Sequence, residues 1–264
     1  MRTCRATWVC GVLALSFLVV SSRGAAGQVA AVKRAVQPLD PLQMVYACRD
    51  ACKSVKDFTA VMHRQERLWG QLQPMETIFV KFRNQPFSVY MKWMKEPHKT
   101  REAIYVANQN DGKIVAHEVA GLVNWMRKVS PNAPEARKQS HHPITEAGIG
   151  KAIESLIRVC DKAKQAGDLK LFCAGQDSFD NRPTDLLVRI LPQKPEYPYH
   201  VIILHIDKGL GLPVKFVSLN WDYEVETNYS YTDLKLNVGL TDEDFDYKNK
   251  EYGYQSLVGL RFIP

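Results

Sequence analysis

The residues that could do chemistry stand in a few short groups. His117 and Glu118 open the His-Glu-x-x-His pattern of a zinc protease, but Val119, Ala120 and Gly121 follow, so the second histidine is missing. His141 and His142 are adjacent in a polar loop before Pro143. Neighbouring side chains rarely aim at one metal, so this pair reads as solvated loop or lid residues. Asp242, Glu243, Asp244 and Asp246 offer carboxylates that suit a hard cation such as Ca²⁺, yet they lack the spacing and glycine of an EF-hand loop. Phe245 inside that cluster reads as an anchor for the C-terminal tail, and a solvated turn is the better account of the acids. His63 and His205 fall in strand-like runs and read as partly buried, satisfied histidines. There is no Gly-x-Ser-x-Gly elbow and no Walker loop. These groups assign no catalytic residue, no metal and no cofactor, and the chain is read as non-enzymatic.

Cysteine chemistry depends on the compartment, and the N-terminus bears on it. Arg2 and Arg5 precede an apolar run from Val9 to Val20, and Gly24-Ala25-Ala26-Gly27 offers cleavage points before Gln28. This pattern is that of an export signal over residues 1–27, followed by a single domain over 28–264, exported to the periplasm or secreted. The run is too short to span a bilayer comfortably, and Cys10 near its start is badly placed for lipidation. Cys48, Cys52, Cys160 and Cys173 remain, and an oxidising compartment permits disulfides among them in any of three connectivities. Cys48 and Cys52 are four apart, which is not a redox motif and would strain a bridge within one helix. Cys48, Cys52 and Cys160 are expected as small core residues on helical faces, with one bridge between elements left open, to Cys173 on a strand.

Loss of residues 1–27 removes Arg2, Arg5 and Arg23 and no acid, so the net charge falls from +7 to +4. Lys and Arg alternate with Asp and Glu, so no basic run points to nucleic acid. The remaining 237 residues show no low-complexity linker and no internal repeat.

These residues must be held by something, and period-two patterns dominate. ETIFVKF and FSVYMKWM flank the breaker Arg83-Asn84-Gln85-Pro86 and predict an antiparallel hairpin. Ile78, Val80 and Phe82 share one face of its first strand, and Phe87, Val89, Met91 and Trp93 share one face of the second. A strand from Phe58 precedes it, and strands around REAIYVANQ and KIVAHEV, joined at Asn110-Asp111-Gly112, follow it to complete a five-stranded meander. Asp40 as N-cap and Pro41 start a first helix, with Val45, Cys48, Cys52 and Val55 in one stripe. After the polar segment from Pro131 to Pro143, Thr145 is the expected cap of a second helix whose stripe is Ile149, Ile153, Leu156, Ile157 and Cys160 and whose end is Gly167. Strands resume at Leu169. Val201 to Ile206 is apolar on both faces except His205 and is expected as a central, helix-covered strand. Residues 213–225 are expected as one strand with Val217, Leu219, Trp221, Tyr223 and Val225 on its apolar face. The sum is an α+β domain in which roughly ten antiparallel strands curve into a half-open barrel covered or plugged by two amphipathic helices.

The strings VKFRNQPFSVYMKWM, His-Pro-Ile-Thr-Glu-Ala-Gly-Ile at 142–149 and YTDLKLNVGLTDEDFD at 231–246 resemble a bacterial envelope family, the domain of unknown function numbered 1571. That family is in turn similar to lipoprotein carriers of LolA and LolB type. The resemblance implies an unclosed antiparallel barrel with a helical lid over an apolar cavity for acyl chains. Candidate lining residues are Ile78, Val80, Phe82, Val89, Met91 and Trp93 on the hairpin, with Leu219, Trp221 and Tyr223 from the later strand; at strand period each could equally be ordinary core. The expected partner is a hydrophobic small molecule, a lipid or a lipoprotein acyl chain. The competing expectation is an envelope protein-interaction module with a solidly packed barrel and no ligand.

Overall fold

Asp40 accepts a hydrogen bond from the Leu42 N–H at 3.0 Å, and Pro41 follows at the first helical position, so α1 runs Pro41–Cys52. The computed structural model describes residues 40–95, 98, 100–120, 123–255 and 261–263, and the export signal read at residues 1–27 lies outside them. Helix α2 is a single turn, Pro134–Arg137, and α3 spans Ile149–Gln165. The stripe Ile149, Ile153, Leu156, Ile157, Cys160 and Ala163 of α3 is buried, as its 3.6-residue period requires. Gly167 has φ +73° and ends this helix with two reverse bonds, Gly167 N–H to Lys164 O at 3.1 Å and Asp168 N–H to Ala163 O at 2.9 Å.

The start of α3 corrects the expected cap. Thr145 lies in a separate 3₁₀ turn, Ile144–Glu146, and the N-cap is Gly148 at φ +105°. A Cβ there would stand 2.6 Å from the Phe82 ring, so the close approach of the lid segment to β3 needs glycine.

The strands are β1 (Asp57–Leu68), β2 (Gln71–Leu72), β3 (Glu76–Arg83), β4 (Ser88–Trp93), β5 (Glu102–Val106), β6 (Ile114–Ala120), β7 (Val123–Val129), β8 (Lys170–Phe179), β9 (Arg182–Ile190), β10 (Val201–Asp207), β11 (Pro213–Leu219), β12 (Val225–Leu236) and β13 (Arg261–Ile263). They form one sheet in the order β13-β7-β6-β5-β4-β3-β1-β12-β11-β10-β9-β8, with β2 attached to β1. Strand β1 joins two meanders by pairing β3 on one side and β12 on the other. The outer strands β13 and β8 do not pair with each other, so the sheet is a curved half-open barrel rather than a closed one.

Three features differ from the sequence expectation. Among the described residues there are thirteen strands rather than about ten, because β7, β13 and the two-residue β2 carry no clean alternation. Strand β13 runs parallel to β7, whereas the other neighbours are antiparallel. The expected strand 213–225 is interrupted: the Asn220 side chain accepts the N–H groups of Asp222 and Glu224, both at 3.0 Å, and Tyr223 adopts φ +60°. That local turn competes successfully with the strand pattern.

Both faces of the first meander are covered. On the concave face Phe58, Met62, Ile78, Val80, Phe82 and Met91 form a core with Val55 and Ile149. On the convex face Tyr90, Ile104, Val106 and Val115 are covered by Phe245, Tyr252 and Tyr254 of the C-terminal segment. Helices α1 and α3 close over Leu187, Leu204 and Ile206 of β9 and β10, so β10 is the central covered strand that its two apolar faces predict. Each such buried aliphatic side chain contributes about 1.5–3 kcal/mol.

Candidate functional site

Between the concave face of the sheet, α3 and the segment 131–148 lies a cavity of about 920 Å³. This is the upper part of the roughly 300–1,000 Å³ range of small-molecule sites. Strand alternation sets its wall. Val80 pairs with Met91, and Ile78 with Trp93, so the inward residues of β3 and β4 stand side by side. Val80, Phe82, Met91 and Trp93 line the cavity, joined by Phe58, Met62, Ala103 and Ile114 from neighbouring strands and by Phe216 and Tyr231 from the second meander. Burial pushes the Tyr231 hydroxyl up to about 12.

Ile78 and Val89 also point inward but are wholly buried in the core beside the cavity. Leu219 pairs with Val201, whereas Ser218 pairs with Ile202 of the inward row, so Leu219 faces the convex side and the expected face is inverted there. Trp221 packs with Ala163, Leu191 and Tyr197 instead of the cavity. Tyr223 is 68% exposed at the turn. Alternation was misread across the turn at Asn220, because apolar residues at period two occur by coincidence on both sides of it.

A polar belt interrupts the apolar wall, and sequence reasoning missed it. Arg64 meets Glu76 at 2.5 Å, the Trp93 indole N–H donates to the same carboxylate at 2.8 Å, and Arg101 meets Glu118 at 3.2 Å. The Arg64 and Arg101 guanidiniums lie 5.9 and 5.5 Å from the Trp93 ring. Ser218 and Thr227 share a 2.5 Å hydrogen bond, and Arg189 on β9 completes the belt. These residues come from separate strands; the one available signal was a charged residue on an otherwise apolar face, as in Leu187 and Arg189.

Segment 131–148 is fastened over this belt. Glu66 accepts from Ser140 Oγ at 3.1 Å, from the His141 N–H at 3.4 Å and from the Tyr229 hydroxyl. Arg101 donates to Gln139 at 3.0 Å.

The chemically suggestive pairs are separated by the fold. Glu118 faces inward to Arg101, whereas His117 faces outward against Tyr254, as adjacent strand residues must. His141 Nε2 lies 2.8 Å from Arg67 O and His142 Nδ1 lies 3.2 Å from Glu146, so these side chains diverge. Among the described residues no three His, Cys, Asp or Glu side chains converge as metal ligands. Two acids of the cluster are ion-paired, Asp242 with Arg83 at 2.8 Å and Asp244 with Lys81 at 2.7 Å, while Phe245 is buried as the anchor. His63 lies 3.2 Å from Thr232 Oγ1. His205 departs from the expectation of a satisfied histidine: it is 8% exposed, among the described residues its Nδ1 lacks a hydrogen bond, and Asp177 is 3.7 Å away.

All four cysteines of the described residues are free thiols, so the bridge left open to Cys173 is absent. Cys173 Sγ instead lies 3.4 Å from Met44 Sδ. Burial, with Cys52 as a lesser cause, pushes Cys48 up to about 12, and burial pushes Cys52 to about 11, which leaves both protonated and inert at neutral pH.

An unclosed antiparallel half-barrel around an apolar cavity with a polar belt is the class that this fold and site define. The chain belongs to the family described as protein of unknown function (DUF1571), whose profile matches residues 55–254. A comparison with curated proteins gives no match. Among solved structures the chain is similar to MucB, at 15% identity and a TM-score of 0.49, with 80% of this chain and 63% of MucB covered. It thus spans less than two thirds of the MucB chain. It is also similar to the lipoprotein LppX of Mycobacterium tuberculosis, at 12% identity and a TM-score of 0.45 over 78% of this chain and 98% of the other. A LolA superfamily protein of Nitrosomonas europaea is 8% identical at a TM-score of 0.32, over 79% and 98% of the two chains.

Proposed function

We propose that this protein is a non-enzymatic carrier or sensor of the cell envelope that holds a lipid, a lipoprotein acyl chain or another hydrophobic molecule inside the half-barrel. The observation that carries this reading is the 920 Å³ cavity walled by Met62, Val80, Phe82, Met91, Trp93 and Phe216. An acyl chain that leaves a membrane for water loses about 0.8 kcal/mol per exposed CH₂, and a dry apolar cavity offsets that loss. Met and aromatic side chains suit the task because they adapt to flexible chains. In this reading Val80, Phe82, Met91 and Trp93 contact the chain, and Ile78 and Val89 support them from behind.

Export to the periplasm or beyond is part of the same proposal, supported by the basic, apolar and small-residue pattern of residues 1–27. Among the described residues no helix is long and apolar enough to cross a membrane. The alternative, an interaction module with a solidly packed barrel, requires a filled interior, and the open cavity weighs against it.

The test is native mass spectrometry followed by denaturing lipid extraction, on mature protein purified from an envelope fraction without detergent. A stoichiometric acyl-bearing adduct supports the carrier reading. A clean apo mass together with no uptake of a fluorescent fatty acid refutes it.

A further inference from the structure

Arg189 sits on β9 opposite Ile202 of β10, on the same face as Leu187, and lies in the cavity wall with Leu156, Val159 and Tyr199. It is 1% exposed. One Nη donates to the Tyr199 carbonyl at 3.3 Å, the Cys160 thiol of α3 is a further neighbour, and among the described residues Nε has no hydrogen-bond partner. Among the described residues no carboxylate forms an ion pair with it, whereas Arg64 and Arg101 of the same cavity are matched by Glu76 and Glu118. A guanidinium does not escape burial by losing its proton, as a lysine can. An unpaired buried charge costs several kcal/mol, so the fold tolerates at this point a cation for which the described residues supply no anion.

We propose that Arg189 receives the anionic headgroup, carboxylate or phosphate, of an acidic amphiphile whose chain runs along the apolar wall of the cavity. This rests on the carrier reading and narrows it: the cargo is selected by a charged head as well as by a greasy tail. Charge-assisted hydrogen bonds to a guanidinium fork are stronger than neutral ones and discriminate strongly against uncharged analogues when desolvated. Among the described residues Nε–H lacks an acceptor, and an anionic head that meets it gains a charge-assisted bond that a neutral ester or alcohol would match far less well.

The experiment is displacement of a neutral fluorescent probe, N-phenylnaphthylamine, from the mature protein by palmitate, by a palmitoyl lysophosphatidic acid and by the uncharged alcohol of the same chain length. Arg189→Met and Arg189→Lys are compared with wild type. Wild type is expected to prefer an acidic amphiphile over the alcohol by about tenfold or more. Arg189→Met is expected to lose that preference, read as the ratio of acid to alcohol affinity within the variant, and Arg189→Lys to retain part of it. The ratio of palmitate to lysophosphatidic acid decides between carboxylate and phosphate. Equal binding of acid and alcohol by wild type, or a preference that survives in Arg189→Met, overturns the headgroup site and leaves the carrier reading intact. Failure of every amphiphile to displace the probe overturns both. If Arg189→Met does not fold, the wild-type ratio and Arg189→Lys carry the decision.

Discussion

Lys81 Nζ lies 2.7 Å from Asp244 Oδ1, and this contact ties the C-terminal segment to the convex face of β3. Neighbouring contacts reinforce it, with the Arg83 guanidinium 4.8 Å from the Phe245 ring and the Tyr90 and Tyr252 rings stacked at 4.2 Å. Asp242 and Asp244, two of the acids that the sequence offers as a cation site, therefore work as fasteners.

Acid should loosen this fastening. Burial by itself would raise the Asp244 carboxyl, but hydrogen bonds from Lys81 and from the Thr241 N–H outweigh it and hold the group below the usual carboxylate range. A depressed folded pKa contributes stability above the unfolded value of about 3.9, and that contribution is lost as pH falls through the folded value. Asp244→Asn is expected to cost about 1–2 kcal/mol at pH 7 and to flatten the acid limb of stability below pH 4. Urea unfolding at pH 7 and pH 3 measures both; an acid limb as steep as wild type in the variant would contradict the assignment.

Val80 and Trp221 should respond differently to the same insult. Val80 is buried in the concave core, so Val80→Asp is expected to cost several kcal/mol and to unfold or aggregate the protein. Trp221 stands at a turn, half-buried over Leu191 and Tyr197, where an aspartate can reach water. Trp221→Asp should cost about 1–2 kcal/mol and leave a folded protein. Thermal melts compare them. Wild-type stability of Val80→Asp would refute the inward face of β3, and equal severity in both would refute the turn placement.

Glu66 is the fastening point of the cavity's covering segment. It is 3% exposed and bonded to Ser140, His141 and Tyr229. Burial, then the Glu66 carboxylate, pushes the Tyr229 hydroxyl well above its ordinary value. Glu66→Ala removes the acceptor that those donors share and is expected to cost about 2–3 kcal/mol. The local readout is amide hydrogen exchange at His141, which should accelerate in Glu66→Ala. Unaltered protection there would show that the segment is held by other contacts.

Much of the scaffold is legible because its signals are local. The hairpin of β3 and β4 puts Val80 against Met91 and Phe82 against Val89, as alternation around Arg83-Asn84-Gln85-Pro86 implies. The α3 stripe from Ile149 to Cys160 is likewise visible at its own period. Strand β7 escaped because Asn124, Trp125, Met126, Arg127 and Lys128 give neither face a uniform polarity. Trp221 and Tyr223 misled because alternation says nothing about whether the chain has turned between them.

What the sequence by itself determined is therefore the class of element at most positions and the existence of an apolar concave surface. Those follow from side-chain periodicity within about a dozen residues. Which residues meet across the interior was decided only by the tertiary structure: Arg64 with Glu76, Arg101 with Glu118, and Glu66 with the segment at Ser140. The unpaired state of Arg189 was decided there too, since β9, β10 and α3 converge on it without a carboxylate in ion-pairing reach among the described residues. Periodicity assigns a side chain to a face, but the curvature of the sheet and the packing of a helix across it set the distance between charges, and distance and burial govern their chemistry.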